Sequence, residues 1–364
     1  RALVETLRTD ADPTRSMADV AAVRRSALAR IYGETLHQGT IYVATARVVP
    51  FLLRLLDHPD ADAVELLAYI EAVTSQAHEY REQALEWDED SDDRVAVLGT
   101  LDALAHGFAR VAALVDSPDP NIVATALALA SRAGDEGESL LLRAANHRNW
   151  LTAATAVHGL LDRRGDGLTA EAALPWLEHG EAIVRLCAAI ATARHLGTAA
   201  PARTTAVLCE ALDHESDLAP RFSRLPFVKG RLLAYVALGL AQVRDAAAMA
   251  RAVGLAERLA DLDLFTLDSV SFGLLRLCFG DGQPPFAPGF VDVLAAIASC
   301  GRLEGFANFS ESSSRFGLPS RASEYRALVE TLRTDADPTR SMADVLRVHE
   351  EDEDEEEEDE DEDD

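Results

Sequence analysis

The stretch "ALPWLEHGEAIVRLCAAIATARHLG", Ala173 to Gly197, reads as two helices joined by a short polar turn. In its second half Ile183, Cys187 and Ile190 recur at spacings of four and three, which puts them on one helical face. Arg194 and His195 fall near the negative end of that helix, and Gly197 stands where a left-handed stop is easiest. One such pair cannot cover its own apolar faces, whereas stacked neighbours can. The decisive question is therefore whether the phrase recurs.

It does. "FLLRLLDHPDADAVELLAYIEAV" runs from Phe51 to Val73, "VAALVDSPDPNIVATALALASRAG" from Val111 to Gly134, and "LLLRAANHRNWLTAATAVHGLLDRRG" from Leu140 to Gly165. With Asp116, Asn146, Glu178 and Asp213 as turn markers the steps are 30, 32 and 35 residues. In the second of these phrases Asp119 suits a helix cap, Pro120 the first helical position, and Gly134 the stop. Beyond Leu212 the spacing predicts longer helices over 231–246 and 248–262, then a Pro/Gly-rich loop at Gly280 to Gly289 and apolar helix up to Cys300.

This phrasing resembles HEAT repeats, whose second helix commonly opens with an Asp, Pro, Val, Arg pattern; Val184 and Arg185 stand in that order. The N-terminal "LARIYGETLHQGTIYVATARVVPFLLRLLDHPD", Leu28 to Asp60, and the later "FANFSESSSRFGLPS" are similar to uncharacterised HEAT-repeat proteins of actinobacteria. The resemblance covers roughly 18–332. It implies an all-α, HEAT-like α-solenoid and brings almost no activity with it.

Composition agrees with helices. Apolar residues are 48% and aromatics only 6%, a balance that favours Ala and Leu helices over strands. The net charge of −28 divides unevenly, because Glu350 to Asp364 is an unbroken acidic run whose removal leaves −13. An acidic body disfavours nucleic acid, whose phosphates need a basic face. The expected partner is a protein with a basic surface. The four cysteines, Cys187, Cys209, Cys278 and Cys300, form no CxxC pair and sit in apolar helical surroundings, as reduced core residues do. The apolar run Leu232 to Ala241 is too short to span a bilayer, and no signal peptide is visible, so the expectation is a cytoplasmic, bacterial protein without membrane attachment.

Candidate binding residues are His37, Gln38 and Tyr42, which with Thr40 bring polar groups into a Gly-containing loop between helices, and Trp150 and Trp176 as interface anchors. No catalytic set converges: there is no phosphate-binding Gly loop and no GxSxG elbow. The pairs His78-Glu79 and His214-Glu215 raise a metal reading, since HEAT-like deoxyhypusine hydroxylases hold two irons with four such dyads at equivalent repeat positions. Here His78 falls inside a helix and His214 in a turn, while His349-Glu350 merely opens the acidic run. Trp87, with Trp150 and Trp176, invites comparison with HEAT-like alkylpurine DNA glycosylases, whose groove is basic; the acidic body argues against it. "EWDEDSDDR", Glu86 to Arg94, lacks the Gly and final Glu of a calcium loop. The expectation is a non-enzymatic binding scaffold with no catalytic residues, cofactor or metal. The alternatives are a metal-dependent enzyme of the HEAT-like hydroxylase kind and a HEAT-like nucleic-acid binder.

One repeat does not drift. "RALVETLRTDADPTRSMADV" stands at Arg1 to Val20 and again, unchanged, at Arg326 to Val345. It predicts a short amphipathic helix, a turn, and a second helix opening at Ser16 or Ser341. The implied organisation is an N-terminal helical cap over 1–30, the solenoid over 31–325, the duplicate over 326–345 and a disordered acidic tail over 346–364.

Overall fold

The computed structural model describes residues 26–346 apart from 34–35, 38–39, 59–60, 281, 283, 304–305 and 320, and within them the chain is all-α. The N-terminal copy of the duplicated segment and the acidic tail lie outside the described residues. The only strands among the described residues are β1 (Leu36–His37) and β2 (Thr40–Ile41), paired antiparallel with Leu36 opposite Ile41 and His37 opposite Thr40. The polar loop expected between helices thus carries a short antiparallel pairing.

The helices gather into two compact units. One holds residues up to Arg163 together with Leu225–Phe227; the other holds Arg164–Arg224 and the chain from Val228 on. This division falls within the 31–325 span. The first unit contains α1 (26–33), α2 (Val43–Leu55), α3 (Ala63–Glu79), α4 (Arg81–Glu86), α5 (Asp92–Ala113), α6 (Pro120–Ala130), α7 (Asp135–Ala144) and most of α8 (Trp150–Arg164). Helices α2 and α3 lie on α5, α3 and α5 on α6, and α6 on α7. Leu52, Leu67, Ile70, Val111 and Leu127 are fully buried where these faces meet. Helix α5 buries Val97, Thr100, Leu104, Phe108 and Val111, one face at spacings of three and four. Together with its terminal 3-10 turn it is long and apolar enough, by length and composition, to cross a membrane, but that buried face is the centre of this unit's core.

The second unit contains α9 (Ala170–Leu177), α10 (Ala182–Leu196), α11 (Ala202–Asp213), α12 (Glu215–Phe222), α13 (Leu232–Val243), α14 (Ala246–Met249), α15 (Ala252–Ala256), α16 (Leu264–Phe279), α17 (Phe290–Ser299), α18 (Ala307–Ser314), α19 (Ala322–Thr334) and α20 (338–346). Packing runs from each helix to near neighbours in sequence: α10 on α9, α11 and α13, α13 on α16, α16 on α18, and α17 on α19. Such local contacts are what stacked helical pairs produce.

Ends and turns follow the sequence in part. Asp119 Oδ1 accepts the Asn121 N–H at 2.8 Å with Pro120 in the first turn, and Gly197 closes α10 at φ +52°. Gly134 does not make a left-handed stop: its φ is −62°, and it leads directly into α7. The close approach in this turn is at Gly137, where a Cβ would lie 2.1 Å from the Ala130 carbonyl oxygen. The helix expected over 248–262 is broken into α14, α15 and a 3-10 turn at Leu259–Asp261. Within the broken span Arg251 pairs with Asp213 at 3.2 Å, and Arg258 pairs with Glu215. Helix α13 itself ends because Arg244 adopts a left-handed conformation, φ 48° and ψ 33°.

A buried ion pair crosses the first unit. Arg132 Nη2 lies 3.3 Å from Glu71 Oε1 and donates to Ser75 Oγ at 2.8 Å, while its Nη1 donates to the Ala128 carbonyl at 2.8 Å. Replacing Arg132 by Leu strips the buried Glu71 carboxylate of its cation and should cost about 3–5 kcal/mol in chemical denaturation. The double variant E71L/R132L is expected to recover most of that loss, and no recovery would mean the pair is not coupled. Gly137→Ala should cost about 1–3 kcal/mol, since a backbone oxygen blocks the new methyl. An unchanged melting temperature would contradict that close approach.

Candidate functional site

Two of the polar turns between helices share one device. Asn149 N–H donates to His147 Nδ1 at 3.0 Å, and Glu181 N–H donates to His179 Nδ1 at 3.1 Å, the same two-residue step at positions 32 apart. In both, the ring nitrogen satisfies an amide that the following helix leaves without an intrahelical partner. Asn149 Oδ1 then accepts from Leu151 N–H at 2.9 Å, opening α8. A third histidine, His214, stands 35 residues after His179 in the turn from α11 to α12, where its carbonyl accepts the Leu218 N–H at 3.1 Å. The turn histidines are thus part of the repeat. The sequence carried the signal: "NHRN", "EHGE" and "DHES" follow the turn markers directly.

Two clefts open beside these turns. The first, about 470 Å³, is floored by Val115, Val123 and Leu140 and edged by Asp116, Arg143 and His147. The second, about 330 Å³, is floored by Leu186, Val207 and Leu218 and edged by Arg185, Glu210, His214, Asp217 and Arg221. Leu140, Arg143, Ala144 and His147 line the first, and Val207, Glu210, Ala211 and His214 line the second, a constant offset of 67 residues. The two clefts are therefore repeats of one design. Both sizes fall within or near the range of small-ligand pockets.

Their charges differ in a decisive way. In the second cleft the cations are engaged by the chain itself. Arg221 Nη1 lies 2.9 Å from Glu181 Oε1, and Arg185 Nη1 donates to the His179 carbonyl at 2.9 Å while its Nη2 lies 3.6 Å from Glu210 Oε2. Glu210 also takes Arg203 Nη1 at 2.6 Å, and Arg203 Nε reaches Glu178 Oε1 at 3.1 Å. The hydrogen bond it donates to Glu210 holds the Arg203 guanidinium above its ordinary value, against a smaller opposing effect of burial. What remains is Asp217, exposed and paired with no cation among the described residues. Asp116, at the edge of the first cleft, is also exposed and unpaired, and there Arg143 is likewise without an ion-pair partner among the described residues.

The sequence-predicted binding residues lie elsewhere. His37 sits in β1 opposite Thr40, and Gln38 lies outside the described residues. Tyr42 precedes α2 with its ring exposed; its N–H donates to Thr45 Oγ1 at 3.2 Å, so it is tied into the start of that helix. Trp150, half-buried, opens α8, and half-buried Trp176 lies in α9. None of these residues lines either cleft, although Trp150 lies between the cleft residues Asn149 and Thr152 in sequence. His78 and Glu79 end α3, and Gln76 Nε2 donates to Glu79 Oε2 at 3.1 Å. Glu215 pairs with Arg258 beside His214, and His349 lies outside the described residues. Among the described residues no three His, Cys, Asp or Glu side chains are grouped so as to hold a metal ion.

The thiols are core groups. Cys187, Cys278 and Cys300 are buried and Cys209 is half-buried, none in a disulfide. Burial pushes the Cys278 thiol up to about 12 and raises Cys187 further still. The same cause raises Cys209 and Cys300, opposed at Cys209 by nearby Arg251.

No family model matches the chain, and no curated protein matches it. Among solved structures, an engineered protein shares 16% identity over 96% of this chain and 98% of its own, with a TM-score of 0.32. A likeness that low carries no argument about fold or role.

Because a thiol reacts as thiolate, iodoacetamide at pH 8 should leave Cys187, Cys278 and Cys300 intact in the native protein and modify at most Cys209, with all four labelled in denaturant. Rapid native labelling of Cys187 or Cys278, read by mass spectrometry, would contradict their burial.

Proposed function

We propose that the protein is a non-enzymatic, cytoplasmic binding scaffold of the HEAT-repeat type whose partner is a protein with a basic surface. The observation that carries this reading is the pair of repeated clefts along the turns. Each offers an apolar floor beside an exposed aspartate, Asp116 or Asp217, that is ion-paired with no cation among the described residues, with Arg143 equally unpaired at the edge of the first cleft. A lysine or arginine side chain matches that combination, its aliphatic stem on the floor and its charged head at the carboxylate. The acidic body and the run Glu350 to Asp364 add long-range attraction of the same sign.

The arginines favour the same reading over a nucleic-acid role. Arg163 donates to the Ser131 carbonyl at 3.2 Å and to Ala133, Arg302 to Ala260 at 2.9 Å, and Arg110 pairs with Asp57 at 2.8 Å. Side chains engaged in this way are poorly available to phosphates.

The test uses a lysine- and leucine-rich helical peptide titrated into the full chain at low and moderate salt. The charge-reversed variant D116R/D217R should bind about three- to tenfold more weakly at low salt, the scale of about 0.5 kcal/mol for each of two exposed charge pairs. Deleting 350–364 should slow association and flatten its salt dependence. Equal affinity for wild type and D116R/D217R would remove the clefts from the proposal. Tight binding of an acidic peptide in place of the basic one would overturn it.

A further inference from the structure

The structure shows how the C-terminal copy of the duplicated segment is held. Its first helix, α19, lies on α17, which buries Phe290, Val293, Leu294 and Ile297. Val329 and Leu332 of the copy are buried, and Arg333 Nη2 stands 3.6 Å from Asp292 Oδ1 across the contact. Met342 and Ala343 of α20 are buried as well. The turn joining the two helices is built from the segment alone. Asp335 Oδ1 accepts the Asp337 N–H at 2.9 Å, Ser341 Oγ donates to Asp335 Oδ2, and Asp337 Oδ1 accepts the Arg340 N–H at 3.1 Å to start α20. Helix α20 therefore opens at Asp337 and Pro338; the expected start at Ser341 is instead one turn inside it.

Everything that shapes the segment and most of what seats it is repeated at the N-terminus. Val4, Leu7, Arg8, Asp10, Asp12, Arg15, Ser16 and Met17 are the counterparts of Val329, Leu332, Arg333, Asp335, Asp337, Arg340, Ser341 and Met342. Two anchors are not repeated. Tyr325, whose hydroxyl hydrogen-bonds Ser313 Oγ and whose ring lies 5.9 Å from Phe309, precedes the segment, and Leu346 corresponds to Ala21.

We propose that the face of α17 that holds α19 is an exchange seat: Arg1–Val20 of a second chain docks there when the resident copy leaves, linking chains by segment swapping. The occupant is set by identity of sequence, and a chain with one described seat and two copies of its ligand always has one copy to spare. The resident copy holds the seat at ordinary concentrations, because tethering supplies an effective concentration of about millimolar and Tyr325 and Leu346 add anchors. A swap of this kind needs no new surface.

A cycle of full-length variants tests this. V329D/L332D disables the resident copy, V4D/L7D the N-terminal copy, and the fourfold variant both. V329D/L332D should form dimers or longer species whose share rises at least twofold over a tenfold increase in concentration, by sedimentation, and should melt above the fourfold variant. In the wild-type background V4D/L7D should change the melting temperature less than it does in the V329D/L332D background. A synthetic peptide of residues 1–20 added in excess should return V329D/L332D to monomer; the same peptide carrying V4D/L7D should not. If V329D/L332D folds as a concentration-dependent dimer or longer species and the fourfold variant does not fold, the exchange is supported in its strongest form. If the two behave alike, folded or unfolded, or if V329D/L332D stays monomeric at every concentration, the exchange between chains is overturned.

Discussion

A helix of ten to fifteen residues leaves several amides unpaired at its start, and this chain begins many such helices in tight turns. Helix after helix, a turn side chain supplies the acceptor: Asp62 for Glu65 N–H, Ser91 for Arg94, Asn149 for Leu151, Thr169 for Ala172, Asp245 for Ala248 and Asp263 for Thr266. The hydrogen bonds from Thr266, helped by Arg231, hold the Asp263 carboxyl below its ordinary value. Some of the acidity of the body, at Asp62, Asp245 and Asp263, is therefore structural. It concentrates carboxylates at the turns, which is where the two clefts open and where Asp116 and Asp217 remain uncommitted.

The arginines are the counterpart at the other helix ends. A guanidinium presents several donors in a planar fork, so one side chain can gather more than one free carbonyl, which an ammonium does less well. Arg244 donates to the carbonyls of Leu277, Cys278 and Pro285, and Arg132 and Arg163 act similarly around the α6–α7 turn. That use gives a physical value to a chain with a single lysine, Lys229. It also explains why a count of basic residues overstates the positive charge offered to a partner.

The helical phrasing was legible because it depends on local periodicity and on caps such as Asp119 and Gly197, whose partners lie within a few residues. The breaks were not. Arg251 and Arg258, within the interrupted span 248–262, meet Asp213 and Glu215 some forty residues away, and the close approach of Gly137 to the Ala130 carbonyl is one that only packing reveals. For the clefts, the turn histidines were visible in the sequence as a pattern, but a pattern does not say that an imidazole nitrogen caps an amide. Nor could it say that Arg185 and Arg221 are neutralised from within, because their partners come from other helices.

Arg244 carries a last consequence. Its left-handed backbone at the end of α13 is the setting in which glycine is usually preferred, yet its side chain ties three carbonyls from α16 and the loop after it. Local conformational preference and tertiary attachment therefore rank the residues at this position in opposite order. A redesign guided by backbone statistics would choose glycine there, relieving one residue while releasing three, and the error would appear far along the chain from the site of the change.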